Sequence, residues 1–215
     1  MHVVIVGGGI HGAATAYFLT EFGDVDVTLF ERDAIGSGST GYSAGIVRYH
    51  YSNPTHVDLV RRSVEHFRDL EDRIGHESGF HENGYLVLYD AAHEAELREI
   101  VSIQQVCGLE VSVVEPSEIP DLLPGASPDG VAIGAYEPTA GFADPYLIAT
   151  GYAGAARDAG AAIETGVEVR DIERRGDTVD AVVTSKGCHE ADYVVNAAGT
   201  AGAAVAAMAG VSVPL

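Results

Sequence analysis

Lysine is almost missing from these 215 residues. Lys186 is the only one, eleven arginines complete the basic set, and 32 acidic side chains bring the formal charge to −20. Such a surface repels phosphate backbones and anionic lipids, which argues against a nucleic-acid or membrane-surface role. The acids are scattered (Asp24, Asp26, Glu65, Asp69, Glu94, Glu96, Glu99) and form no tail. Carboxylates in excess with almost no lysine resemble the composition of proteins from a salt-saturated, halophilic cytoplasm. There a Debye length of about 3 Å near 1 M salt screens the self-repulsion. Full stability in low salt would count against that reading. Cysteine is equally scarce: Cys107 and Cys188 fit neither a CxxC pair nor a metal spacing, and read as small residues of a reducing cytoplasm. Nine histidines show no HxxxH or HxH spacing, so no metal is expected. No paired-carboxylate signature occurs. No apolar run approaches the roughly 20 residues of a membrane span. The opening MHVVIVGGGIHG lacks the basic segment and cleavage site of a signal peptide, which predicts a cytoplasmic protein.

What is present is enough for a core, with 47% hydrophobic residues and a mean hydropathy of +0.11. VVIV at 3–6 reads as a buried parallel strand, Ile10 to Phe22 as a helix ended by Gly23, and Asp26 to Phe30 as a second strand. A loop rich in Gly, Ser and Tyr fills 33–54, and loops of that length are often functional. Apolar spacing predicts one amphipathic helix from Thr55 to Ile74. A strand (Gly84–Tyr89), a helix (Ala91–Val106), a proline-punctuated connection and a strand (Val131–Tyr136) follow. Asp144 is placed to cap a helix whose first turn holds Pro145 and which runs to about Asp158. Strands at 161–164, 167–174, 178–184 and 193–196 come next, with Arg175-Gly176-Asp177 as a hairpin turn, then a helix from Ala203 to Ala209. The expected domains are 1–79 and 143–215, two parts of one nucleotide-binding domain, and 80–142, a separate lobe.

The chemical signal is Gly7-x-Gly9-x-x-Gly12 between strand and helix. Gly7 permits a tight turn, Gly9 lets backbone approach a pyrophosphate, and Gly12 lets helix and strand pack closely. The helix N-terminus offers unpaired N–H groups to phosphate. Glu31 stands nineteen residues after Gly12, at the end of the second strand, where a carboxylate accepts from ribose hydroxyls and disfavours a 2′-phosphate. FAD is preferred to NAD because the next loop, Glu31-Arg32-Asp33 through Gly38-Ser39-Thr40 to Ala44-Gly45-Ile46-Val47-Arg48, suits a segment wrapping a flavin. Its small residues allow backbone approach, and its hydroxyls can donate to phosphate.

Taken together, VVIVGGGIHGAATAYFL, FERD, GSGSTGYSAGIVR, GYLVLYD, EPTAGFADPYLIATGYAGAARDAGA, GVEVRDI and YVVNAAG resemble the N-terminal half of the D-amino-acid oxidase-like family of FAD-dependent oxidoreductases. That group includes sarcosine oxidase, glycine oxidase and dimethylglycine dehydrogenase. The resemblance implies an α/β fold: a Rossmann-like βαβ FAD domain of the glutathione-reductase type with an α+β substrate lobe, truncated at the C-terminus. It places Gly9 and Ile10 at the pyrophosphate, and Glu31 and Arg32 near the adenosine ribose. Ser39 and Thr40 would meet the phosphates or ribityl chain, and Ala44, Gly45 and Ile46 would pass the isoalloxazine. Val169 would offer backbone to the adenine, with Ala198 and Gly199 on the ribose side. By the residues alone, Val169 is equally a plain strand residue, Asn196–Gly199 a strand exit, and Ser39 and Thr40 solvated loop. Some relatives tether the flavin through a histidine just after the Gly-Ser-Thr; Tyr42 stands there, so non-covalent FAD is expected.

Arg48 is the best substrate-facing candidate, placed to pair with an amino-acid carboxylate or the reduced flavin. The plain alternative is a surface arginine answering the excess acid. Tyr49, His50 and Tyr51 are candidate pocket walls. The implied activity is oxidation of a small amine or amino acid by hydride transfer to flavin, with the electron acceptor undetermined. The alternatives are another flavin dehydrogenase on the same scaffold (for glycerol phosphate or a 2-hydroxy acid) and a non-catalytic dinucleotide-binding subunit. Because the family's chains run further, a missing C-terminal half or a partner subunit is expected, with little activity from these residues alone.

Overall fold

A computed structural model describes residues 1–214. In chain order the elements are β1 (His2–Val6), α1 (Ile10–Phe22), β2 (Asp26–Glu31), β3 (Ile46–Val47), α2 (Pro54–Arg68), α3 (Leu70–Ile74), β4 (Tyr85–Tyr89), α4 (Glu94–Val106), β5 (Ser112–Val114), α5 (Ile119–Leu122), β6 (Ile133–Glu137) and β7 (Gly141–Phe142). Then follow α6 (Pro145–Asp158), β8 (Ala162–Thr165), β9 (Val169–Arg175), β10 (Thr178–Thr184), β11 (Gly187–Glu190), β12 (Tyr193–Asn196) and α7 (Gly202–Met208). They form two compact units. The first holds Met1–Ala44, Leu70–Ser78 and the chain from Asp144 onward; the second holds Gly45–Asp69 and Gly79–Ala143.

The first unit is built on a parallel sheet in the order β12-β1-β2-β8. β1 is flanked on both sides, and Val3 to Val6 are all buried, which is why a continuous β-branched run forms it. The chain leaves β1 for β2 on one side and returns as β12 on the other, so the strand order reverses at β1, where open α/β sheets bind ligands. α1 packs against α6, with Tyr17 and Tyr152 rings 5.5 Å apart. Asp144 caps α6 as its spacing predicts, accepting from the Tyr146 and Leu147 N–H groups at 2.8 and 3.1 Å. β9, β10 and β11 form an antiparallel sheet. The Gly176-Asp177 turn joins its first two strands, and Gly176 takes φ +68° as such a turn requires. Val182 of β10 joins Val4, Phe30, Val167 and Ala191 in one core cluster.

The second unit has the antiparallel sheet β4-β6-β5, the short pair β3–β7, and helices α2 and α4. Leu97 and Val101 of α4 close on Ile133 and Ala135 of β6. Val64 of α2 packs with Tyr49 and Ala140. Asn53 caps α2 by accepting from the Thr55 N–H at 2.8 Å.

The structure departs from the sequence reading in several places. Residues 45–69, expected within the nucleotide-binding domain, belong to the second unit, because the buried face of α2 (Val57, Val64) packs there. The single helix expected over 55–74 breaks at Asp69, and Leu70 is buried in the first unit. Apolar periodicity runs unbroken across that break, so spacing alone does not reveal it. The proline-rich connection contains β5 and α5. Pro116 opens a 3₁₀ turn and Pro120 lies in the first turn of α5, positions that need no N–H donor. The polar edge strand β11 and the two-residue strand β7 carry too little pattern to be read.

Candidate functional site

The carboxyl ends of β1, β2 and β12 open onto a cavity of about 720 Å³ in the first unit. Its floor is the glycine turn. Gly7 has φ +109°, and a Cβ there would lie 2.5 Å from the Ala197 carbonyl oxygen. A Cβ on Gly12 would lie 1.9 Å from the Gly7 carbonyl oxygen, so only glycine lets α1 start this close to β1. Gly9 is the N-cap of α1 and offers no side chain to its free N–H groups. Ile10 N–H donates to the Thr40 hydroxyl at 3.1 Å, and Gly36 N–H donates to the Gly8 carbonyl at 2.9 Å. The loop after β2 is thereby laid against the turn.

Glu31 sits at the end of β2 with both carboxylate oxygens engaged. Oε2 accepts from Gly8 N–H at 2.7 Å and Oε1 from Asp33 N–H at 2.8 Å. Each oxygen keeps a second acceptor position for a hydroxyl. Asn196 holds the opposite wall: its Nδ2 donates to the Gly202 carbonyl at 2.7 Å and its Oδ1 accepts from Ala198 N–H at 3.3 Å. Arg32 is exposed and pairs with Asp33 at 3.2 Å.

Of the residues singled out from sequence, Gly7, Gly9, Ile10, Glu31, Arg32, Ser39, Thr40, Val169, Ala198 and Gly199 line this one cavity. Gly12 stands beneath it. Ala44 does not line it, and Gly45, Ile46 and Arg48 belong to the second unit. The cavity also uses His11, Tyr42, Glu168, Val205 and Met208. Tyr42 stands at the position after Gly-Ser-Thr noted from sequence, and Val205 and Met208 form an i, i+3 apolar pair on the final helix, whereas His11 and Glu168 carried no signal as cavity residues. Tyr42 is 88% exposed.

In the second unit the strip after β3 carries a polar cluster. Arg48 Nη1 donates to the His50 carbonyl at 2.7 Å, and its guanidinium carbon lies 5.0 Å from the centre of the Tyr51 ring. Among the described residues it forms no ion pair, although acids outnumber bases by 32 to 12. His50 Nε2 lies 3.3 Å from the Tyr89 hydroxyl, and its Nδ1 lies 3.5 Å from Glu137 Oε1. Burial, then the charge of Glu96, pushes the Tyr89 phenol above its ordinary range, and the nearby Arg48 charge draws it back. Glu137 is fully buried, as is Gln104. Neither was legible, since a lone acid closing an apolar strand looks like a strand exit.

The family described as DAO, FAD dependent oxidoreductase, matches residues 2–215, and the chain belongs to it. It is 30% identical over 213 residues to dimethylglycine dehydrogenase of Homo sapiens, covering 99% of this chain and 25% of that protein. It is 33% identical over 223 residues to sarcosine dehydrogenase of Mus musculus, covering 100% and 24%. Sarcosine oxidase subunit beta of Rhizobium meliloti is 30% identical over 220 residues, covering 99% and 53%. Among solved structures, L-proline dehydrogenase from P. horikoshii superposes with a TM-score of 0.92 at 30% identity, covering 99% and 56%. Glycine oxidase from Geobacillus kaustophilus superposes at 0.85 with 28% identity, covering 98% and 58%. The chain thus spans between a quarter and just over half of these relatives.

Proposed function

We propose that this chain holds FAD in the cavity of its first unit and serves an oxidoreductase acting on a small amine or amino acid. The observation that carries the reading is the convergence of the glycine turn, Glu31, the 39–40 hydroxyls and the Ala198-Gly199 turn on one cavity large enough for the nucleotide half of such a cofactor. The residues fit the group. The Cβ-free turn and uncapped helix start receive a diphosphate, Glu31 receives sugar hydroxyls through its free acceptor positions, and Val169 gives the base a backbone edge. When bound, the flavin supplies a two-electron acceptor for a hydride from the carbon bearing the substrate nitrogen, leaving an imine that water hydrolyses. Arg48, which forms no ion pair among the described residues, orients a carboxylate-bearing substrate by charge and paired N–H donors. Tyr42 provides no imidazole for a tether, so the flavin is held without a covalent bond.

Purified protein offered FAD should turn yellow, quench flavin fluorescence on titration, and release all its flavin on acid precipitation. A colourless protein that takes up no flavin overturns the reading. A flavin that stays with the precipitate overturns only the non-covalent part. A relative named as a subunit of sarcosine oxidase supports a working form completed by further chain or a partner. The halophilic composition is tested separately, by unfolding that shifts to higher denaturant as salt rises from low to molar.

A further inference from the structure

Glu137 closes β6 with no exposed surface, and a carboxylate so placed is costly unless its lone pairs are met. They are met from two directions. Tyr49 N–H donates to Oε2 at 2.8 Å, and Gln104 Nε2 donates to Oε1 at 2.5 Å. His50 Nδ1, also buried and without a hydrogen-bond partner of its own, faces Oε1 at 3.5 Å. The other ring nitrogen reaches Tyr89. One buried carboxylate therefore holds Tyr49 by its backbone and faces the ring of the next residue, His50. Arg48 immediately precedes them, and its Nη1 rests on the carbonyl of that same His50.

We propose that Glu137 is a positioning residue for Arg48, holding the 48–51 strip so that the guanidinium is presented for a substrate carboxylate. This rests on the reading of Arg48 given above. The chemistry requires the charged acid rather than a polar group of its size. A carboxylate offers an acceptor at each end and so receives both N–H donors. A carboxamide offers one acceptor for Tyr49 N–H, and its NH₂ is met only if the Gln104 amide turns over to present its otherwise unpartnered Oε1. It also removes the negative charge facing His50. A buried network with one member mismatched relaxes as a whole, and the strip is its mobile part.

The test uses the whole flavin-loaded protein with two probes, propionate and its neutral isostere propionamide, with binding followed by NMR titration. Arg48→Met should abolish the preference for propionate. Glu137→Gln should weaken propionate about tenfold and leave propionamide within twofold, and Glu137→Gln combined with Arg48→Met should bind no more weakly than Arg48→Met alone. If Glu137→Gln does not fold, His50→Gln decides, with a several-fold loss confined to propionate expected. Should Arg48→Met keep the propionate preference, the carboxylate role of Arg48 falls and the positioning role with it. Should Arg48→Met lose it while Glu137→Gln and His50→Gln keep it, or lose both probes alike, only the positioning role falls.

Discussion

The two units handle polar chemistry in opposite ways. In the first, the groups that await a ligand are mostly backbone: a glycine turn, an uncapped helix start and a strand exit, arranged around an open cavity. In the second, the polar groups are side chains, turned inward and largely spent on one another around Glu137. A backbone site depends on the absence of side chains and is broken by adding atoms. A side-chain network depends on matched donors and acceptors and is broken by removing them.

Substitution should expose that asymmetry. The largest effect is expected for Gly12→Val. Its Cβ meets a carbonyl that cannot step aside, at 1.9 Å, so FAD titration should show affinity falling more than a hundredfold. Thermal melting should show a loss of about 3 kcal/mol from overpacking. Leu97→Ala in the second unit deletes atoms from a fully buried site and should cost about 2–5 kcal/mol in denaturant unfolding, with folded protein still binding FAD as wild type does.

A third experiment asks where the units behave alike. Burial pushes the Tyr17 phenol up to about 12, aided by Glu21, and raises Tyr152 in the first unit and Tyr49 in the second above the ordinary 10.0. Phenols whose folded value is raised contribute stability that is intact below pH 10 and is lost as pH climbs through the folded values. Beyond the phenolate signal of the exposed tyrosines, a further rise in absorbance should therefore accompany loss of helical signal between about pH 10 and 12. Full ionisation of a still-folded chain would refute this. The smallest effects belong to the helix caps. Asp144→Ala and Asn53→Ala should each cost about 1 kcal/mol in urea unfolding, one in each unit.

Legibility in the sequence follows the same divide. β1, α1 and β2 were readable to within a residue because a buried run, a glycine turn and a helical stretch are local patterns. The acid at Glu31 was found by spacing, but its bonds to Gly8 and Asp33 were not, since those depend on how the loop returns. In the second unit, α2 announced an apolar face without announcing its partner. Residues 45–69 were consequently placed with the wrong neighbours. Glu137 gave no signal, because burial of a single acid is decided by residues 33 and 88 positions away.

By itself the sequence determined the strand–glycine turn–helix–strand crossover, the family to which the chain belongs and the acidic, lysine-poor composition. Each is written in spacing or composition, which survive without three dimensions. Only the tertiary structure decided that the predicted nucleotide residues share one cavity, that Arg48 forms no ion pair among the described residues, and that a buried carboxylate meets the two residues after it. Those facts are distances between parts of the chain remote in sequence, and packing alone sets them.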